Sequence, residues 1–227
     1  MRFERATRYD EFAMAQKYAA KKLAELLQKH ARTFRNAYEI GCGSGIFTRE
    51  LERFDIGQLT LNDLYRALPM QGRPAQVGDI REIDLPQNLD LVASSSVLQW
   101  IDDLDPLFEK IRQAMLPGGI FAFAIFTEGT LHELSSFTGQ GLVYKSDSRI
   151  QSIAETHFRV LEASPDACLV SFSSLHDLLD SLKQTGVNNL KGPFRLTRDS
   201  LQKMREHFAG NYSLSYRFQA IVAQKIG

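Results

Sequence analysis

The chain has 227 residues, 44% of them hydrophobic, enough for one α/β domain that buries its core without disulfides or metals. Its 27 Lys and Arg balance 27 Asp and Glu, which argues against bulk electrostatic attachment to nucleic acid. The two cysteines, Cys42 and Cys168, form no metal-ligand spacing, and no apolar run approaches the ~20 residues that span a bilayer, so a cytoplasmic protein without a resident metal or a membrane segment is expected.

In chain order, residues 12–27 read as an amphipathic helix, with Phe12, Ala15, Ala19, Leu23, Leu26 and Leu27 on one stripe and Lys17, Lys21, Lys22 and Glu25 off it. Short β-like runs then alternate with helical ones. Strands are predicted at Ala37–Ile40, Leu59–Leu61, Ala75–Val77, Leu89–Ala93 and Ile120–Phe126, and the clearest intervening helix at Pro106–Met115. Pro117-Gly118-Gly119 reads as a turn that stops this helix and admits the fifth strand. Residues 127–190 lose the rhythm and are expected to hold an inserted lid, while Tyr216–Gln224 alternates well enough to close the sheet. The alternation predicts a doubly wound, Rossmann-like α/β fold. Its expected parts are an N-terminal helical cap (1–35), a cofactor-binding core (36–126), the lid or substrate segment (127–190) and closing strands (191–227).

The most informative stretch is Glu39-Ile-Gly-Cys-Gly-Ser-Gly45, directly after the first predicted core strand. Glycines at alternate positions let the backbone turn sharply and bring main-chain N–H groups against a ligand that any Cβ would displace. The spacing is not the G-x-G-x-x-G of dinucleotide loops, and an acid stands two residues before the first glycine. A fixed carboxylate repels a pyrophosphate but attracts the sulfonium and ammonium of S-adenosylmethionine. Asp63 ends the second strand, where a carboxylate accepts from ribose hydroxyls. Gly78-Asp79-Ile80 follows the third, where the Asp79 carboxylate suits an exocyclic adenine amine and the next backbone N–H a ring nitrogen.

These residues, with Asp90–Trp100 and Leu116-Pro-Gly-Gly119, resemble the class I S-adenosylmethionine-dependent methyltransferases over roughly residues 35–126. The resemblance implies a seven-stranded, mostly parallel sheet with an antiparallel last strand. It also implies that Glu39, Gly41, Cys42, Gly43, Gly45, Asp63, Asp79, Ile80 and Ser95 surround the cofactor. A narrower resemblance runs along the whole chain. Arg5-Ala-x-x-Tyr9-Asp10 with Gln16, Gln99-Trp100, Gly129-Thr-Leu-x-Glu-Leu134, Ser181-Leu-Lys-x-x-Gly186, Leu196-Thr-x-x-x-Leu-Gln202 and Tyr212-x-Leu-x-Tyr216 are similar to the malonyl-[acyl-carrier protein] O-methyltransferases of biotin synthesis.

That family's acceptor is a carboxylate with an ordinary pKa near ~4, ionised at neutral pH, so no strong base is required. The chain accordingly shows no Ser-His-Asp or Cys-His constellation. Tyr9, Gln99 and Trp100 are the candidate catalytic residues, orienting the carboxylate and walling the transfer site. Tyr144 in the lid and a cation from among Arg8, Lys183, Arg195 and Arg198 are candidates for binding the substrate. Residues 1–35 carry nine Lys or Arg against four Asp or Glu, and residues 183–205 six against one. If both ends meet on one face they suit an acidic partner such as malonyl-acyl-carrier protein. Two other readings are a methyltransferase of a small diffusible acid, quinone precursor or amine, and a non-catalytic S-adenosylmethionine-binding protein.

Overall fold

The computed structural model describes residues 9–185 and 196–227. Seven strands form one sheet: β1 Thr33–Ile40, β2 Asp55–Asp63, β3 Ala75–Val77, β4 Leu89–Ser95, β5 Met115–Phe126, β6 Arg159–Ser171 and β7 Ser213–Gln224. Their order is β3-β2-β1-β4-β5-β7-β6. Pairings from β3 across to β5 are parallel, and β7 runs antiparallel to both β5 and β6. The order reverses between β1 and β4, and this switch point opens a crevice at the carboxyl ends of the strands.

Side-chain alternation sorts the core into two layers. On β5, Ile120, Ala122, Ala124 and Phe126 face one way with α2 (Met14–Leu27), while Phe121, Phe123 and Ile125 face the other with α4 (Asp105–Ala114) and α6 (Asp147–His157). The first layer also takes α3 (Ile46–Leu51), α5 (His132–Thr138), α7 (Leu175–Gln184) and α8 (Arg198–Phe208) through Phe47, Leu134, Leu178 and Met204. A four-residue helix, α1 (Tyr9–Phe12), precedes α2. Local chemistry marks the helix starts. Ser146 and Ser174 cap α6 and α7 by accepting the N–H of Arg149 and Asp177, and Thr197 forms a capping box with Ser200 on α8. Among the described residues, no helix is long and apolar enough to cross a membrane.

Three expectations change. Where closing strands were expected over 191–227, the described residues form α8 and the single strand β7. Pro117-Gly118-Gly119 is not a turn between helix and strand but an irregularity inside β5, where the register against β4 shifts between Leu89 and Leu91. Gly118 takes a φ of +82°, which lets the strand bulge and resume. Within residues 127–190, predicted as a lid, Arg159–Ser171 is β6, a sheet member paired with β7 over its whole length. A covering role is left to the stretch before α6. Residues 186–190 lie outside the described residues.

Candidate active site

The glycine loop leaves β1 with its backbone already tied to the sheet. Cys42 N–H donates to the Asn62 carbonyl at 2.8 Å, and Gly45 N–H closes a turn onto the Cys42 carbonyl at 2.8 Å. Gly41 has a φ of +72°, and a Cβ there would lie 2.4 Å from Val97 Cγ2; neither the backbone nor the space admits a side chain. Gly43, with a φ of +50°, would place a Cβ within 4 Å of nothing, so its backbone is open to whatever fills the crevice. Its N–H donates to Asp63 Oδ2 at 2.9 Å, coupling the loop to the end of β2.

A cavity of about 750 Å³ opens over this loop. Of the residues singled out in the sequence, Tyr9, Gly41, Cys42, Gly43, Asp63, Asp79, Ile80, Ser95, Gln99 and Trp100 all line it. Asp63 and Asp79 supply carboxylates from successive strand ends. Asp63 Oδ1 also accepts the Tyr65 N–H at 3.1 Å, which fixes the plane of the carboxylate. Asp79 is gripped by its neighbour Arg81, with Nε on Oδ1 at 2.9 Å, and the Arg81 guanidinium holds the carboxyl below its usual range. Burial, helped by the charges of Asp10 and Asp63, pushes the Tyr9 phenol well above its ordinary pKa, so it stays a protonated donor. Burial likewise pushes the Cys42 thiol up to about 12, which leaves it no nucleophile at neutral pH.

The remaining predicted residues lie elsewhere. Glu39 is 1% exposed and is not part of the wall. The alternation of β1 turns its side chain opposite to Ile40, beneath α3, where Oε2 accepts the Thr48 hydroxyl at 2.7 Å. Burial raises its pKa to about 7 against the opposing effects of Thr48 and Arg73. Gly45 caps α3 and packs on Pro69, outside the wall. Tyr144 is partly buried against the main core, its phenol pushed up to about 12 by burial; the wall is formed instead by Gly141, Leu142 and Val143 just before it. Lys183, in the last turn of α7, and Arg198, at the start of α8, are exposed and away from the cavity. Arg8 and Arg195 lie outside the described residues.

Sequence reasoning missed Arg66 and Arg81, which bring positive charge to the wall, and Leu64 beside Asp63. Arg81 was signalled by its position two residues after Asp79; residues 141–143 carried no signal beyond one glycine. S-adenosylmethionine, expected from the sequence, fits the residues present. The loop backbone is bare at Gly43, the carboxylates of Asp63 and Asp79 line the cavity, and in the same wall Ser95 Oγ, Ser96 Oγ and Gln99 Oε1 are buried without a partner among the described residues.

Residues 38–123 match the family described as Methyltransferase domain. The chain is 37% identical over 238 residues to a malonyl-[acyl-carrier protein] O-methyltransferase of Chlorobium phaeovibrioides, covering 95% of this chain and 91% of that protein. The chain belongs to the malonyl-[acyl-carrier protein] O-methyltransferase family. A family member from Bacteroides thetaiotaomicron is 32% identical, with 99% of this chain and 96% of that protein covered. Among solved structures, a candidate methyltransferase of Bacillus halodurans superposes with a TM-score of 0.66 at 12% identity, over 90% of this chain and 99% of that one. The N-methyltransferase NodS of Bradyrhizobium japonicum, in complex with S-adenosyl-L-homocysteine, gives a TM-score of 0.53 at 16% identity, over 94% and 87%. At those identities the likeness establishes the fold, and the family assignment rests on the sequence relatives.

Proposed function

We infer that this protein transfers a methyl group from S-adenosylmethionine to the free carboxylate of a malonyl thioester on acyl-carrier protein, giving a methyl ester for biotin synthesis. The observation that carries the reading is the cavity at the sheet's switch point, walled by Asp63 and Asp79, in a chain of this family. Bound there, S-adenosylmethionine supplies a methyl group on a positively charged sulfur. Asp63 would hold its ribose, Asp79 and Ile80 its adenine, and the backbone of Gly41–Gly43 its amino-acid end. The chain's own task is orientation, because the acceptor carboxylate is already ionised and needs no base. Tyr9, with a phenol kept protonated, donates to a carboxylate oxygen; Trp100 and Gln99 wall the transfer site and keep water from the acceptor's lone pairs.

The basic segments support a carrier-bound substrate. α2, α7 and α8 all pack on the same face of the sheet through Leu23, Leu178 and Met204, so the exposed Lys17, Lys21, Lys183, Arg198 and Lys203 belong to one side of the molecule. Acyl-carrier protein is acidic, and such a side steers it. At the cavity mouth Leu64 is 51% and Val143 96% exposed, an apolar lip suited to a thioester arm. The test is an incubation of the purified protein with methyl-labelled S-adenosylmethionine and, in parallel, malonyl-carrier protein, malonyl-CoA, free malonate and acetyl-carrier protein. Base-labile label is expected on the malonyl thioesters alone. Label on none of them, or on the acetyl species, refutes the assigned acceptor.

A further inference from the structure

We propose that Asp10 is a positioning residue for methyl transfer: its carboxylate latches α1 onto the glycine loop and so holds Tyr9 against the cofactor cavity. One oxygen, Oδ1, accepts the Ser44 hydroxyl from the middle of the loop. The other, Oδ2, accepts Arg49 Nη2 at 2.9 Å from the first turns of α3. Arg49 also donates through Nη1 to the Ser44 carbonyl at 3.2 Å, so one guanidinium engages the loop backbone and α1 together.

α1 gains from such an attachment, beside its contacts with α7. It is a single turn of four residues, it fully buries none of its side chains, and Ala13 divides it from α2 with a ψ of 46°, outside the helical range. An isolated turn of that length does not persist in water. The Arg49–Asp10 pair alone is weak, since both side chains are about half exposed, at 52% and 43%. The charge-assisted bond to Ser44 adds directional strength and fixes where the carboxylate sits. Tyr9, the residue before Asp10, then lies in the cavity wall close enough to Asp63 to feel its charge. Asp63 in turn receives Gly43 N–H from the same loop. The hydrogen bonds therefore run from Asp10 through Ser44 and Gly43 of the loop to Asp63, and Tyr9 and Asp63 line the same cavity. A Tyr9 seated by the latch raises the fraction of protein ready to bind, and the apparent affinity scales with that fraction.

The proposal rests on reading the cavity as the methyl-donor site, and the experiment separates the two. The full chain and four variants, Asp10→Ala, Tyr9→Phe, the Asp10→Ala/Tyr9→Phe double and the charge swap Asp10→Arg/Arg49→Asp, are compared. The measurements are calorimetric binding of S-adenosylhomocysteine, steady-state turnover of malonyl-carrier protein, and thermal unfolding. Asp10→Ala is expected to weaken S-adenosylhomocysteine roughly tenfold and lower kcat/KM by a similar factor while the unfolding temperature stays that of the parent, because the latch closes no core. The double variant is expected to be no worse than the more damaging single one, and the swap to recover part of the affinity. The latch is overturned if Asp10→Ala binds and turns over like the parent, if its losses multiply with those of Tyr9→Phe, or if affinity falls only together with the unfolding temperature. A parent protein that does not bind S-adenosylhomocysteine overturns the reading of the cavity itself, and the latch with it.

Discussion

Two glycines and one glutamate show how differently neighbouring residues of one loop contribute. A methyl added at Gly41 meets Val97 at 2.4 Å in a backbone conformation that disfavours side chains, so Gly41→Ala is expected to cost about 2–4 kcal/mol of folding stability, seen as an earlier denaturant midpoint. At Gly43 the same methyl meets nothing but projects into the cavity, so Gly43→Ala is expected to cost only about 1 kcal/mol in stability. Its larger effect is a weaker S-adenosylhomocysteine affinity by calorimetry. Glu39 gives a pH signature. Its carboxyl titrates near 7 when folded instead of 4.5. The protonated form is the one the fold prefers, so the penalty is absent below about pH 4.5 and complete above about pH 7, on the order of 3 kcal/mol. Denaturant unfolding at pH 5 and pH 8 is expected to show the parent losing stability with rising pH and Glu39→Gln losing much less. Equal slopes in both proteins would assign the effect elsewhere.

At the level of elements, Phe108 joins three of them. Its ring lies 5.1 Å from Phe121 and 5.3 Å from Phe123 on β5, and 6.4 Å from Phe158 at the end of α6. Phe108→Ala is expected to cost about 3–5 kcal/mol in denaturant unfolding, whereas Lys203→Ala, removing an exposed i,i+4 pair with Asp199, is expected to change stability by less than about 0.5 kcal/mol. Strands buried on both faces, such as β4 and β5, were legible because their apolar runs are bounded by turn residues. β6 was not. It is an edge strand with a half-exposed, alternating pattern, and Pro165 within it reads as a break, although an edge tolerates a proline. Asp63 and Asp79 were legible as carboxylates at strand ends. The placement of Glu39 was not, because it depends on which face of β1 α3 covers. The Asp10 contacts to Ser44 and Arg49 join residues more than thirty positions apart, a separation that sequence spacing does not encode.

Over the whole molecule, charge and topology act together. If the exposed cations of α2, α7 and α8 steer the carrier, Lys183→Glu/Arg198→Glu raises KM for malonyl-carrier protein several-fold at low salt and flattens its salt dependence, with malonyl-CoA turnover little changed. Equal losses on both substrates would remove those cations from recognition. The placement of β7 between β5 and β6 also bears on how the protein is made. As the chain leaves the ribosome, β1 to β5 can pair in turn, but β6 emerges with no neighbour, because its partner is the strand that follows it. Until residues 213–224 appear, the nascent sheet presents an open edge at β5 and a loose thirteen-residue strand, both prone to pairing with other chains. A ribosome stalled before β7 therefore releases a product that has lost two strands rather than one, and leaves the apolar β5 as the edge in place of the half-exposed, proline-containing β6.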